Sequence, residues 1–183
     1  MAVLNNIESA IKNYAAKDLQ QALTNILIAV DATAKIEYPK LKETGTRYKQ
    51  FLEDNRFLIQ LIALNVRMEN PIRFRNMHEW EKGTKPDTLS LAEIIYLYMR
   101  CKLLHEGELP ASISFSEKAE IKLETDRMIF PENLVLALIV AVMTSPVHKD
   151  KKLSFDATLD IYGKKLHLSE IWGNKEKVKV TLI

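Results

Sequence analysis

The sequence predicts an α+β protein that is mainly helical. Apolar residues recur at helical spacing up to about residue 144, and short alternating stretches occupy residues 112–130 and the end of the chain. With 183 residues, 47% of them hydrophobic and 27% charged, the chain has the size and balance of one globular domain. We therefore expect a single unit over residues 1–183. It consists of helices over 1–145, a small antiparallel β insertion at about 112–130, and a C-terminal β meander over 150–183 packed on the helices.

Three helices are expected in the first third of the chain. The first has an apolar stripe formed by Leu4, Ile7, Ile11 and Tyr14. Asp18 is placed to cap the second helix, which should end before Pro39 because the residue before a proline avoids helical geometry. A third helix is predicted over about residues 46–65. Residues 66–87 then break the helical period and indicate a long connection that carries a short strand.

The central helix of the chain is predicted to begin after residue 90. Ser90 and Glu93 have the spacing of a capping box, and the residues that follow are apolar nearly all round. Gly107 is a plausible stop signal. A helix of this composition belongs in the middle of a core or at an interface.

Alternating stretches dominate the rest of the chain. Residues 112–116 and 119–130 predict an antiparallel pair of strands, and Pro131 opens another apolar helix that runs to about Thr144. Three further stretches, 153–161, 166–172 and 178–182, are separated by turn residues and predict a three-stranded meander.

Composition excludes several classes of protein. The net charge of +2 shows no global basicity, and a single cysteine, Cys101, rules out an internal disulfide. The start of the chain lacks the pattern of a secretory signal, and the longest apolar run, residues 133–143, is too short to cross a bilayer. Without paired histidines, a cysteine pair or a glycine-rich loop, we expect no metal and no cofactor. A cytoplasmic protein without a membrane partner is the expectation.

The most informative stretch is Arg100-Cys-Lys-Leu-Leu-His105 at the end of the central helix. Histidine moves protons near neutral pH, and arginine grips phosphate oxygens through parallel donors. Together, Arg100 and His105 could activate a ribose 2′-hydroxyl and stabilise the charge of the cleavage transition state without a metal. On a continuous helix the two residues lie about 140° apart, so they share a site only if the helix ends between them or a second subunit contributes.

An Arg-x4-His pattern at the end of a central helix, followed by an acidic residue and glycine, resembles the HEPN superfamily. The resemblance covers residues 1 to about 145 and implies a HEPN-like up-and-down helical bundle over 1–145. Such a bundle is expected to dimerise, with Arg100 and His105 of each subunit catalytic at the seam. It further implies a metal-independent endoribonuclease of the toxin–antitoxin or defence type, with RNA as substrate and an antitoxin as a possible partner. The family often has asparagine or aspartate directly after the arginine, where this chain has Cys101.

Other interpretations stay open. Lys102, Arg73 and Arg75 are candidate substrate-binding cations, although Arg73 and His78 repeat the same spacing within the irregular connection. Structurally, His105 could satisfy helix-end carbonyls, Arg100 could pair with a carboxylate such as Glu93, and Cys101 could be a small buried hydrophobe. The functional alternatives are a non-catalytic HEPN-like protein that binds nucleotide or RNA or acts as a dimeric scaffold, and a helical protein–protein adaptor.

Overall fold

The computed structural model describes residues 2–75, 88–124 and 127–183, and it is α+β and mainly helical, as predicted. The helices in chain order are α1 Ala2–Ala15, α2 Leu19–Glu37, α3 Thr44–Asp54, α4 Arg56–Leu64, α5 Leu91–Ile94, α6 Cys101–Glu106, α7 Asn133–Met143 and α8 Lys175–Leu182. A π-helical segment, Ile95–Arg100, joins α5 to α6. We call α5, this π segment and α6 together the central helix.

Seven short strands form three small sheets in the described part of the chain. They are β1 Arg73–Arg75, β2 Thr88–Ser90, β3 Ile113–Ser116, β4 Lys122–Leu123, β5 Met128–Pro131, β6 Thr158–Ile161 and β7 Lys164–His167. β1 pairs with β2 and β6 pairs with β7, both antiparallel, while β5 lies between β3 and β4.

The caps predicted from the sequence are confirmed. The Asp18 side chain accepts a hydrogen bond from the Gln21 amide at the start of α2, which ends at Glu37 before the proline. Ser90 and Glu93 make both bonds of a capping box. Gly107 ends the central helix in the left-handed conformation, φ +82°, where glycine carries no Cβ penalty.

The core is built around α7. Every residue from Leu134 to Met143 is buried, and the helix packs against α1, α2 and α4. An all-apolar helix surrounded by amphipathic ones is the arrangement that its uniform composition predicts. No helix in the described ranges is long and apolar enough to span a bilayer.

The predicted third helix is two helices. α3 ends at Asp54 and α4 starts at Arg56, with Asn55 between them outside helical geometry at φ −104°, ψ 4°. The Asn55 side chain is buried and donates to the carbonyl of Phe51. Asparagine competes for backbone acceptors in this way, which explains a break inside an otherwise apolar period.

The β insertion is not the antiparallel pair predicted over 112–130. The stretch 119–130 holds both β4 and β5, which pair antiparallel with each other. β3 occupies the other edge of β5 and runs parallel to it, from Ile113 opposite Met128 to Ser116 opposite Pro131. The prediction was wrong because it treated two strands as one.

The C-terminal meander has two strands and not three. The stretch 178–182, predicted as a strand from its alternation, lies in α8. The Asn174 side chain caps this helix by accepting from the Lys177 amide, and its buried residues are Val178 and Leu182. Val178 and Leu182 are four residues apart in the sequence. This spacing places them on one face of a helix and equally on one face of a strand.

Candidate functional site

The π-helical segment sets the geometry of the candidate site. A π segment widens the helix and is frequent at functional sites. In this one Ile95 and Met99 are buried in the core, whereas Tyr96 and Arg100, four residues apart, contact groups of α2 and α3.

Arg100 is held by an acidic residue of α2. Its Nη2 donates to Asp31 Oδ2 at 3.0 Å, and only 14% of the Arg100 side chain is exposed. The other oxygen of Asp31 lies 3.8 Å from Nη2 of Arg47, on α3, whose side chain is 15% exposed. One carboxylate therefore serves two half-buried guanidinium groups, and the suggested structural partner Glu93 is instead bonded to the Ser90 amide.

An aromatic ring completes this group. The Arg100 guanidinium lies 5.7 Å and the Lys49 ammonium 5.8 Å from the centre of the Tyr96 ring, within the range of cation–π attraction. The Tyr96 ring also packs on Tyr48, and its hydroxyl lies 2.7 Å from the position that a Cβ on Gly45 would occupy. We call the following five residues the arginine cluster: Asp31, Arg47, Lys49, Tyr96 and Arg100.

The arginine cluster has an excess of positive charge, with three cations around one carboxylate. The two guanidinium groups make three hydrogen bonds, to Lys42 O, Thr44 Oγ1 and Asp31 Oδ2. These bonds use only some of their N–H donors. The Nε atoms of Arg47 and Arg100 have no partner among the described residues. A cluster of this kind can hold a small anion such as a phosphate group.

Burial and neighbouring charges together set the ionisation of Arg100 and of Tyr48, which packs against the cluster. Burial raises the pKa of Tyr48 well above its ordinary value, and the neighbouring charge of Arg100 opposes this rise only in part. For Arg100, burial lowers the pKa, but the hydrogen bond and charge of Asp31 outweigh burial, and the net shift is upward. Both tyrosine and arginine thus keep their ordinary charge states across the neutral range.

His105 does not join the arginine cluster. It is exposed in the last turn of α6, and residues 101–106 are α-helical, so its side chain points about 140° away from that of Arg100. The helix ends after His105 and not between Arg100 and His105.

Cys101 is half-buried next to both Arg100 and Tyr96. Burial raises the pKa of Tyr96, and the Cys101 thiol adds to that rise.

The other predicted cations lie elsewhere. Lys102 forms an ion pair of 2.8 Å with Glu106, and Arg73 and Arg75 are exposed on β1, with Arg73 Nε donating to Thr88 Oγ1. Arg73 is opposite Ser90 in the β1–β2 pair, so Arg100 lies ten residues further along the central helix, roughly 15 Å away. His78 lies outside the described residues.

Sequence reasoning missed four members of the arginine cluster. Asp31, Arg47 and Lys49 come from other helices, and no spacing relates them to Arg100. Tyr96 was the one accessible signal, since an aromatic four residues before an arginine on one helix places the two side chains together. No group of histidine, cysteine, aspartate and glutamate in the described ranges is arranged to hold a metal ion.

The fold and the cluster define a mainly helical α+β protein with a cationic group on a π-helical turn. The chain belongs to the Rv1289 family, whose profile matches residues 2–182. Neither the curated proteins nor the solved structures contain a significant match to the chain.

Proposed function

We propose that this chain is a HEPN-like, non-catalytic RNA-binding protein that holds a phosphate group of its ligand at the arginine cluster. The observation that carries the proposal is the sharing of Asp31 by Arg47 and Arg100, with Lys49 beside them. Three cations against one carboxylate leave two positive charges for a polyanion. Phosphate contacts of this kind give affinity without sequence preference.

RNA binding tests the proposal directly. Fluorescence polarisation with a labelled single-stranded RNA of mixed sequence, in EDTA, should show binding that weakens with salt. Arg100→Met should bind about tenfold more weakly, a loss of ~1.4 kcal/mol, and lower the salt slope by about 0.7 for each phosphate contact removed. Arg56→Met is the matched control, because it removes the same charge outside the cluster. Equal loss in both variants would show that only net charge matters.

A metal-independent endoribonuclease at a dimer seam is the second candidate function. It is favoured by the exposure of His105 five residues after Arg100, since an exposed histidine is accessible to a substrate and to a second copy. The histidine would move the proton of the 2′-hydroxyl, and Arg100 of one copy would stabilise the phosphate charge. Gel analysis of the same RNA separates the two functions: cleavage by the wild type that His105→Ala abolishes would establish the nuclease.

A further inference from the structure

A second group of ionisable side chains lies at the start of α8, outside the arginine cluster. Lys175 is the first residue of α8, and it is half-buried. Its Nζ donates to the backbone carbonyl of Asp54 at 3.3 Å, and no carboxylate among the described residues lies within ion-pair distance of it. Lysines without an ion pair are ordinary on a surface, but a half-buried one is unusual.

Acidic and hydroxyl groups surround Lys175 without pairing with it. Glu37, at the end of α2, accepts a hydrogen bond from Ser145 and acts on Lys175 through its charge. Asp54 is engaged by the Tyr38 hydroxyl at 2.6 Å. Both carboxylates are therefore held in place by other partners, close enough to affect the amine.

Burial moves the acid and the base of this group toward their neutral forms. It lowers the pKa of Lys175, which the charges of Glu37 and Asp54 oppose only in part. Burial also raises the pKa of Glu37. An amine whose pKa is lowered by burial gives up its proton more readily, and desolvated lysines of this kind act as nucleophiles.

The amine opens onto a cleft with room for a small molecule. The cleft has a volume of about 320 Å³ and lies between the start of α4 and the start of α8. Its charged lining consists of Lys175, Lys179, Arg56, Glu53, Asp54 and Glu69. Arg56 and Lys179 each have an acidic partner within 4 Å, at 3.8 and 3.0 Å respectively. Lys175 has no such partner in the described part of the chain, and its Nζ donates only to a backbone carbonyl.

We propose that Lys175 is a covalent site for a small aldehyde or ketone bound in this cleft. The neutral amine attacks the carbonyl carbon to give a carbinolamine, and loss of one water then leaves an imine between Nζ and that carbon. Water in the open cleft takes the proton released by nitrogen and supplies one to the departing hydroxyl. No oxidant or second substrate is needed.

Pyridoxal 5′-phosphate is a suitable probe, because it is an anionic aldehyde whose imine absorbs visible light. One equivalent added to the full chain should give the imine band. Borohydride reduction followed by peptide mass spectrometry should then place most of the label on Lys175. Lys164 is the internal comparison, since it is also half-buried and donates to a carbonyl, that of Leu182 at 2.9 Å. Label spread evenly over the lysines would overturn the proposal.

Two further arms make the test specific. Lys175→Arg should lose the imine band, whereas Lys164→Arg should keep it, with far-UV circular dichroism confirming that both fold. If Lys175→Arg does not fold, the distribution of label in the wild-type chain decides alone.

Discussion

Replacement of Asp31 by asparagine should have opposite effects on stability and on anion binding. In the folded chain this carboxylate bonds to Arg100 at 3.0 Å and lies 3.8 Å from Arg47. A neutral amide in its place would leave both guanidinium groups without a charged partner while they remain largely shielded from water.

The cost in stability can be bracketed from the exposure of these side chains. Fully exposed pairs contribute about 0–1 kcal/mol, and breaking a fully buried pair costs roughly 3–5 kcal/mol. The arginine side chains are 14% and 15% exposed, so Asp31→Asn should lower the free energy of unfolding by about 2 kcal/mol. For a chain of this length that corresponds to a fall in Tm of roughly 4–8 °C.

The same substitution should strengthen phosphate binding. A carboxylate and a phosphate on opposite sides of one guanidinium lie about 7 Å apart, and their repulsion at an effective dielectric constant near 20 is roughly 2 kcal/mol before salt screening. Removing the carboxylate should therefore tighten RNA binding by about tenfold at low salt.

Urea unfolding and fluorescence polarisation measure the two effects on one preparation. Glu106→Gln is the control, because it removes an acid from an exposed ion pair with Lys102 on the central helix. This variant should change stability by less than about 0.5 kcal/mol. If Asp31→Asn unfolds at the same urea concentration as the wild type, or binds RNA no more tightly, the account of the arginine cluster fails.

Three further predictions concern stability away from the cluster. Below about pH 6.5 stability should fall, because burial lowers the pKa of His148 and the unfolded chain then binds the proton more readily; urea unfolding of His148→Gln should show a shallower fall. Gly173→Ala should destabilise by more than about 1 kcal/mol in thermal melts, since φ is +64° and a Cβ would lie 2.7 Å from Cα of Lys149. Asn174→Ala should lose the cap of α8, about 1 kcal/mol by the same melts, whereas an unchanged Tm would show that α8 does not need its cap.

Local signals in the sequence predicted local structure well. The caps at Asp18 and Ser90 and the stop at Gly107 depend on side-chain and backbone chemistry within a few residues, and each is where it was expected. The errors arose where two periods coincide. Val178 and Leu182 fit a strand and a helix equally, and the cap at Asn174 decided the outcome.

Pairing between distant elements could not be predicted, because local patterns do not encode it. Nothing in the alternation of 112–130 distinguishes a parallel from an antiparallel neighbour, because the period of two is common to both. Likewise the sequence singled out Arg100 from its place on the central helix, but Asp31 is 69 residues away. A partner at that separation follows from the packing of α3 against both α2 and the central helix, which no local pattern encodes.

The catalytic role proposed for Arg100 and His105 requires a second copy of the chain. Within one copy, about 140° of helix rotation separates the two side chains, and the Arg100 guanidinium is bonded to Asp31 of α2. A histidine that acts on the phosphate held by Arg100 must therefore belong to another copy. Cleavage should then rise with the square of protein concentration below the dimerisation constant. Mixing Arg100→Ala with His105→Ala should restore activity, because one seam of the mixed dimer keeps both groups. Cleavage that is linear in protein concentration and not rescued by mixing would exclude this arrangement.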